Sequence, residues 1–136
     1  MANWRLAPSL KILLTEVNSL APERSRASDG SISSEAHRRQ NPGSDHDPNE
    51  RGVVTALDIT HDPLAGCNGG EIADRIRIRR DPRVKYVIFN RRMFSSYPAH
   101  GVMPWTWRAY SGENPHTKHV HVSVIDAAAD DHPWLS

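Results

Sequence analysis

The segment His119-Val120-His121-Val122-Ser123-Val124-Ile125 constrains the fold more than any other part of the chain. It alternates polar and apolar residues, the period of a β-strand whose successive side chains point to opposite faces. Val120, Val122 and Val124 make one face and have to pack on a hydrophobic core. His119 and His121 share the other face, about 7 Å apart along the strand. Three residues earlier stands His116, a further imidazole for the same neighbourhood.

The other elements follow from period and punctuation. Leu10, Leu13, Leu14, Val17 and Leu20 recur at spacings of three and four, which predicts a helix over residues 8–20 between Pro8-Ser9 and Ala21-Pro22. Val53 to Ile59 reads as one buried strand, β-branched and apolar except near its end. Gly69-Gly70 precede a short helix from Glu71 to about Arg80, with Ile72 and Ile76 inward and Asp81-Pro82 closing it. Val84 to Phe89 is another strand, and Asn90-Arg91-Arg92 turns it back into Met93-Phe94.

Residues 21–51 are rich in Ser, Asp, Gly, Asn and Pro, which suits either a linker or a long functional loop. His37 and His46 within it favour the loop. Residues 96–118 are irregular, and Trp105, Trp107 and Tyr110 there suit either a substrate groove or a core-packing strand. The polar tail, residues 126–136, is expected to be loosely held. At 136 residues without an internal repeat, the chain is expected to form one α+β domain. Its sheet is small and antiparallel, with flanking helices and long loops.

Charge and cysteine content remove several classes. Seventeen basic residues against sixteen acidic ones leave no excess to neutralise a phosphate backbone, so nucleic acid is not an expected partner. Arg75, Arg77, Arg79, Arg80 and Arg83 cluster, and read as a solvated helix face. Cys67 is the one cysteine, which excludes an internal disulfide and the Cys-rich zinc sites. It lies in the turn-like run Gly66-Cys67-Asn68-Gly69-Gly70 and is expected to be chemically idle.

No apolar run approaches the ~20 residues of a membrane span. Leu10 to Leu14 is too short for the core of a signal peptide. The chain is expected to be made in the cytoplasm as a monomer without membrane insertion. Reaching a substrate outside would need another route.

Asp58 sits among apolar neighbours, and an ionised carboxylate there costs several kcal/mol unless it is paired or bound to a metal. An arginine would serve as well as a cation. His46, in Ser44-Asp45-His46-Asp47-Pro48, reads alone as a turn residue. The combination carries more weight. Two imidazoles and one carboxylate, with a fourth position left to water, form a ligand set used by catalytic zinc. Ser44 and Arg24 flank these residues in sequence, and either could bind a terminal carboxylate or a peptide carbonyl of a substrate, with Arg26, Arg38 and Arg39 competing with Arg24 for that role. His37, His61, His100 and His132 read as surface or turn residues. A two-histidine phosphoesterase needs a second His-x-Ser/Thr element besides His121-Val122-Ser123, and the chain lacks one.

The pattern Ser44-x-His46, Ala56-x-Asp58 and His116-x-x-His119-x-His121 resembles the LAS group of zinc peptidases. That group holds lysostaphin-type enzymes, D-Ala-D-Ala metallopeptidases and the hedgehog signalling domain. The loop with Asp29-Gly30, His37 and Ser44-Asp45-His46, followed by Val54 to Asp58, is similar more narrowly to phage and bacterial endolysin-like or carboxypeptidase-like domains. The resemblance implies a hedgehog/DD-peptidase-like fold with zinc held by His46, Asp58 and His121. It implies His119 as the general base or the group stabilising the transition state, and His116 as a second active-site histidine. The implied activity is zinc-dependent hydrolysis of peptidoglycan peptide bonds, in an enzyme released to the cell wall during phage or prophage lysis. A non-catalytic metal-binding module of the same fold is the alternative that the hedgehog relation allows.

The chain departs from the group's common motif at two points. His46 and Asp58 stand twelve residues apart, farther than is usual there, so residues 47–51 read as an insertion. Lys118 occupies a position where some members carry a glutamate base, which leaves that role to a histidine.

Overall fold

The computed structural model describes residues 4–31, 44–125 and 132–135. In chain order the elements are β1 (Arg5–Leu6), α1 (Pro8–Leu20), β2 (Val53–Val54), β3 (Ala56–Thr60), α2 (Gly69–Arg79), β4 (Val84–Phe89), β5 (Arg92–Ser95), β6 (Arg108–Ala109) and β7 (His119–Val124). Five strands form an antiparallel sheet in the order β3-β7-β4-β5-β6, and β1 pairs in parallel with β2 in a separate ribbon. Helix α1 packs on β3, and α2 packs on β4 and β7. The α+β class and the small antiparallel sheet agree with the sequence reading.

Helix α1 has the predicted bounds and buries Leu10, Leu13 and Val17 on one stripe. Helix α2 begins two residues earlier than Glu71, because the Asn68 side chain accepts from the backbone N–H groups of Gly70 and Glu71 at 2.9 and 3.1 Å. One rung of the sheet shows how the core is built. Leu57, Val122, Val87 and Phe94 oppose one another across four strands, all of them buried.

In β4 the pairing passes from Val84 opposite Val124 to Tyr86 opposite Ser123, so Lys85 is the extra residue of a β-bulge. The bulge lets both Val84 and Val87 enter the core. It also turns Tyr86 and Ile88 to the opposite face.

The expected single strand over Val53 to Ile59 is two strands. The chain leaves the parallel ribbon at Thr55, whose N–H donates to the Asp45 carbonyl at 3.2 Å, and enters the main sheet at Ala56. The turn between β4 and β5 has Asn90 and Arg91 at φ 52° and 66°, the left-handed pair a tight hairpin requires.

Trp105 and Trp107 pack on the core around Phe94, with ring centroids 6.0 and 5.0 Å from it. The Trp107 indole N–H donates to Asp74 at 3.0 Å. This is the core-packing alternative, carried by irregular chain that includes the two-residue strand β6.

One expectation is corrected at residues 132–135 and another is refined there. Trp134 is wholly buried and donates its indole N–H to the Ser9 carbonyl at 2.8 Å, so this part of the tail is not loosely held. Arg75, Arg79 and Arg83 donate to the carbonyls of Leu135, Trp134 and His132 at 2.6, 2.7 and 2.7 Å. The Arg83 guanidinium also lies 4.0 Å from the Trp134 ring centroid. Arg75, Arg79 and Arg80 are exposed, as a solvated face requires, but Arg83 is buried, and three of the five arginines also clamp the chain around Trp134, whose carbonyls need donors. Residues 126–131 and 136 lie outside the described ones. Among the described residues no helix is long and apolar enough to cross a membrane.

Candidate metal centre

The sheet face opposite the core carries the histidines. On β7, His119 and His121 point away from the buried valines, and in the neighbouring strand Asp58 stands opposite His121 and Thr60 opposite His119. Pairing thus brings Asp58 beside His121 as a direct consequence of register.

His46 arrives from the loop before β2. Ser44 Oγ accepts from the His46 N–H at 3.2 Å, and Asn49 Oδ1 accepts from the N–H groups of Arg51 and Val53 at 2.9 and 3.1 Å. With Gly52 at φ 75°, residues 47–52 close on themselves. That is how the longer spacing between His46 and Asp58 is absorbed. From the other side, Gly30 and Asp58 exchange backbone hydrogen bonds at 3.1 and 2.7 Å, which lays the 29–31 segment along β3. The Ser31 carbonyl then accepts from His46 Nδ1 at 2.6 Å.

Asp58 is the hub. Its Oδ2 lies 3.3 Å from His46 Nε2 and 3.5 Å from His119 Nε2, and its Oδ1 lies 3.0 Å from His121 Nδ1. Zinc bonds of 2.0–2.1 Å in a tetrahedron separate ligand atoms by about 3.3 Å. The donor atoms of His46, Asp58 and His121 all lie within 4.8 Å of one another, so they stand close to coordination spacing.

Tautomers point the same way. With Nδ1–H donating to Ser31, a neutral His46 turns a lone pair at Nε2 toward a carboxylate oxygen. Two acceptors at that distance need a proton or a cation between them.

Asp58, His116 and His119 form a second close set of donors. The two sets differ in how their rings are held. His46 Nδ1 is held by Ser31, and His121 Nε2 lies 2.8 Å from Ser123 Oγ. Such outer contacts fix ring orientation and tautomer in metal sites. His116 Nδ1 and His119 Nε2 are buried without a hydrogen-bond partner among the described residues, although His119 Nε2 is the nitrogen that faces Asp58, at 3.5 Å. The histidine rings of the first set are held at their far nitrogens, and no such contact is made by Nδ1 of His116 among the described residues.

His116 has φ 56°, and its carbonyl accepts from Asn90 N–H at 2.8 Å, so the β4–β5 turn positions it. Its ring centroid lies 5.0 Å from that of His119 and 5.4 Å from that of His121. Burial and the neighbouring His121 and His119 push its pKa down to about 4. Burial, with His121 and His46 nearby, also holds His119 below its ordinary value despite Asp58. For Asp58, burial alone would raise the pKa, but hydrogen bonds with His121 and His46 outweigh it and hold the carboxyl well below the usual range. Burial opposes charge on His46 as well, yet Asp58 raises its pKa overall.

The two residues expected at the substrate have structural work instead. Arg24 is buried and forms a two-pronged ion pair with Asp29 at 2.9 and 2.8 Å, while its Nε donates to Asn18 at 2.9 Å. Its donors are taken, so it is not open to a substrate carboxylate. Ser44 shapes the turn that presents His46.

Of the histidines read as outside the site, His61 accepts from the Gly69 N–H at 2.9 Å at the start of α2. His132 supplies a carbonyl to Arg83, and His37 lies outside the described residues. Cys67 is buried, and burial raises its thiol pKa, which agrees with an idle role.

Three contributors escaped the sequence reading. Ser123 continues the alternation of His119 and His121 and was legible there. Tyr86 stacks on His121 with centroids 5.4 Å apart and hydrogen-bonds with Ser123, but the bulge hides its face. Ser31 acts through a backbone carbonyl, which leaves no side-chain signature.

The arrangement can hold a divalent cation through two imidazoles and a carboxylate. Zinc fits that donor set. No protein-family model, no curated protein and no solved structure matches the chain.

Proposed function

We propose that this chain is a zinc-dependent peptidase that hydrolyses peptide bonds of peptidoglycan. One observation carries the hydrolytic reading: the closely spaced donors of His46, Asp58 and His121 stand beside two further buried imidazoles, whose His119 Nε2 and His116 Nδ1 have no hydrogen-bond partner among the described residues. The hedgehog/DD-peptidase-like fold belongs to the same proposal. It is supported by helices on one sheet face and the histidines on the other. The substrate class rests on the resemblance of the Ser44-x-His46, Ala56-x-Asp58 and His119-x-His121 elements, as does release to the cell wall by lysis.

Bound zinc supplies Lewis acidity toward a carbonyl and acidifies water. The remaining steps belong to side chains. His119, neutral near pH 7, takes a proton at Nε2 from the attacking water and returns it to the leaving amine. His116, uncharged above about pH 4, offers Nδ1 as a hydrogen-bond donor to the oxygen that gains charge. Ser31 and Ser123 keep the ligand rings from turning.

Elemental analysis of the purified full chain, then mass spectrometry of muropeptides incubated with it, tests the proposal. The expected result is one equivalent of zinc and new fragments that together gain one water. Zinc without fragments leaves a non-catalytic metal-binding module. A chain that takes up no zinc removes the reading altogether.

A further inference from the structure

The sheet that aligns Asp58 with His121 continues the same rung to its far edge. His121 opposes Ile88, Ile88 opposes Met93, and Met93 opposes Arg108. Residues directly opposed in an antiparallel sheet project from the same face. Arg108 therefore shares the face of the metal centre, three strands away.

Its guanidinium is held along that face rather than released to solvent. Arg108 Nη1 donates to Ser95 Oγ at 2.7 Å, and Ser95 is fully buried opposite Tyr86, the ring stacked on His121. Arg24, Arg77 and Arg83 each pair with a carboxylate, but Arg108 has no carboxylate partner among the described residues. Arg108 lines a cleft of about 460 Å³ together with Met93, His100, Val102 and Tyr110. That volume lies in the range of small-ligand pockets. The Tyr110 ring is the wall shared with the histidine cluster, its centroid 5.6 Å from that of His116.

We infer that Arg108 and this cleft form a subsite for a substrate carboxylate. The inference rests on the peptidase reading and adds the recognised group. Planar guanidinium donors match a carboxylate in two-pronged geometry, and one that lines a cleft with no carboxylate partner among the described residues suits that ligand.

Register also sets the reach. Three strand spacings put the Cα atoms of Arg108 and His121 about 14 Å apart, and the guanidinium leaning on Ser95 shortens the gap. An extended peptide advances about 3.3 Å per residue, so the carboxylate lies roughly three to four residues from the bond at the metal. A carboxylate on the residue being released would fall short. The recognised group is an acidic side chain or a terminus farther along the peptide.

Equilibrium binding of muropeptides to the zinc-loaded full chain, in native form and with their carboxylates converted to amides, tests the subsite without requiring turnover. The wild type is expected to bind the native form about 10- to 100-fold more tightly, the range of one charge-assisted contact. Arg108→Gln should lose that preference while keeping one equivalent of zinc, and Arg108→Lys should keep part of it. Muropeptides amidated only at the terminus or only at side chains then separate the two sources of the carboxylate. An undiminished preference in Arg108→Gln, or no preference in the wild type, overturns the subsite. A preference that depends on Arg108 in a chain that cleaves nothing leaves the subsite standing and removes the peptidase.

Discussion

Asp29 and Asp58 are two carboxylates at the same strand with opposite degrees of satisfaction. Asp29 Oδ1 accepts from Arg24 Nη1, the Thr60 N–H and the Thr60 hydroxyl at 2.9, 2.8 and 2.7 Å, and its Oδ2 accepts from Arg24 Nη2 at 2.8 Å. Every neighbour is a donor. Asp58 instead faces three imidazole nitrogens, of which His119 Nε2 has no hydrogen-bond partner among the described residues. The first arrangement is complete with protein groups alone. The second needs a proton or a cation between its groups, and its donor set can hold a divalent cation. A buried carboxylate is therefore diagnostic by whether the groups around it are fixed donors or imidazoles that can also ligate, more than by its burial.

The largest effect that can break this comparison belongs to Asp58→Asn. An amide keeps the shape but removes the charge that holds three imidazoles to one point. Zinc affinity should fall roughly a thousandfold, beyond the 10- to 100-fold typical of an orienting residue. In the wild type, zinc at a hundred times its Kd should add about 2.7 kcal/mol and raise Tm by about 10 °C. Calorimetry of Asp58→Asn should show no zinc-dependent rise. A variant that still binds one tight equivalent would mean that the ligands lie elsewhere.

Arg24→Ala should do the reverse, costing about 3 kcal/mol of stability while leaving zinc stoichiometry intact. The pH dependence carries the sign. Burial alone would raise the Asp29 carboxyl, but the bonds from Arg24 and Thr60 lower it below its ordinary value. Its stabilisation is complete above the unfolded value of about 4 and is lost as pH falls through the lower, folded one. Urea unfolding should show the gap between wild type and Arg24→Ala closing below about pH 4. A gap that is constant with pH would mean that Arg24 stabilises by packing alone.

The same contrast explains what could be read in advance. The helix over 8–20 and the strands over 84–89 and 119–124 were legible because period and burial coincide there. His46, Asp58 and His121 were legible because few residue types ligate metals and these three stand in a specific order. Arg24 was misread because an arginine near a site in sequence looks the same whether or not a carboxylate five residues on has claimed it. Trp134 was misread because one large ring can anchor a polar segment, and composition averages that away. Arg108 carries no local signal. Its place on the site face follows from register across four strands, which no window of sequence contains.

The smallest effect is the sharpest probe of how the centre is braced. Ser123 is fully buried, and its hydroxyl touches His121 only at Nε2, the nitrogen that faces away from Asp58. Ser123→Ala removes no ligand and no charge. It lets the ring rotate and change tautomer, so Nδ1 is aimed at the centre for less of the time. Zinc affinity should drop about tenfold, with full occupancy restored at saturating zinc. Tyr86 should feel the loss as well, since its hydroxyl shares Ser123 as a partner. A competition assay with a chelator of known strength resolves a tenfold change. Unaltered affinity would show that stacking on Tyr86 alone orients His121, and that the far nitrogen needs no partner.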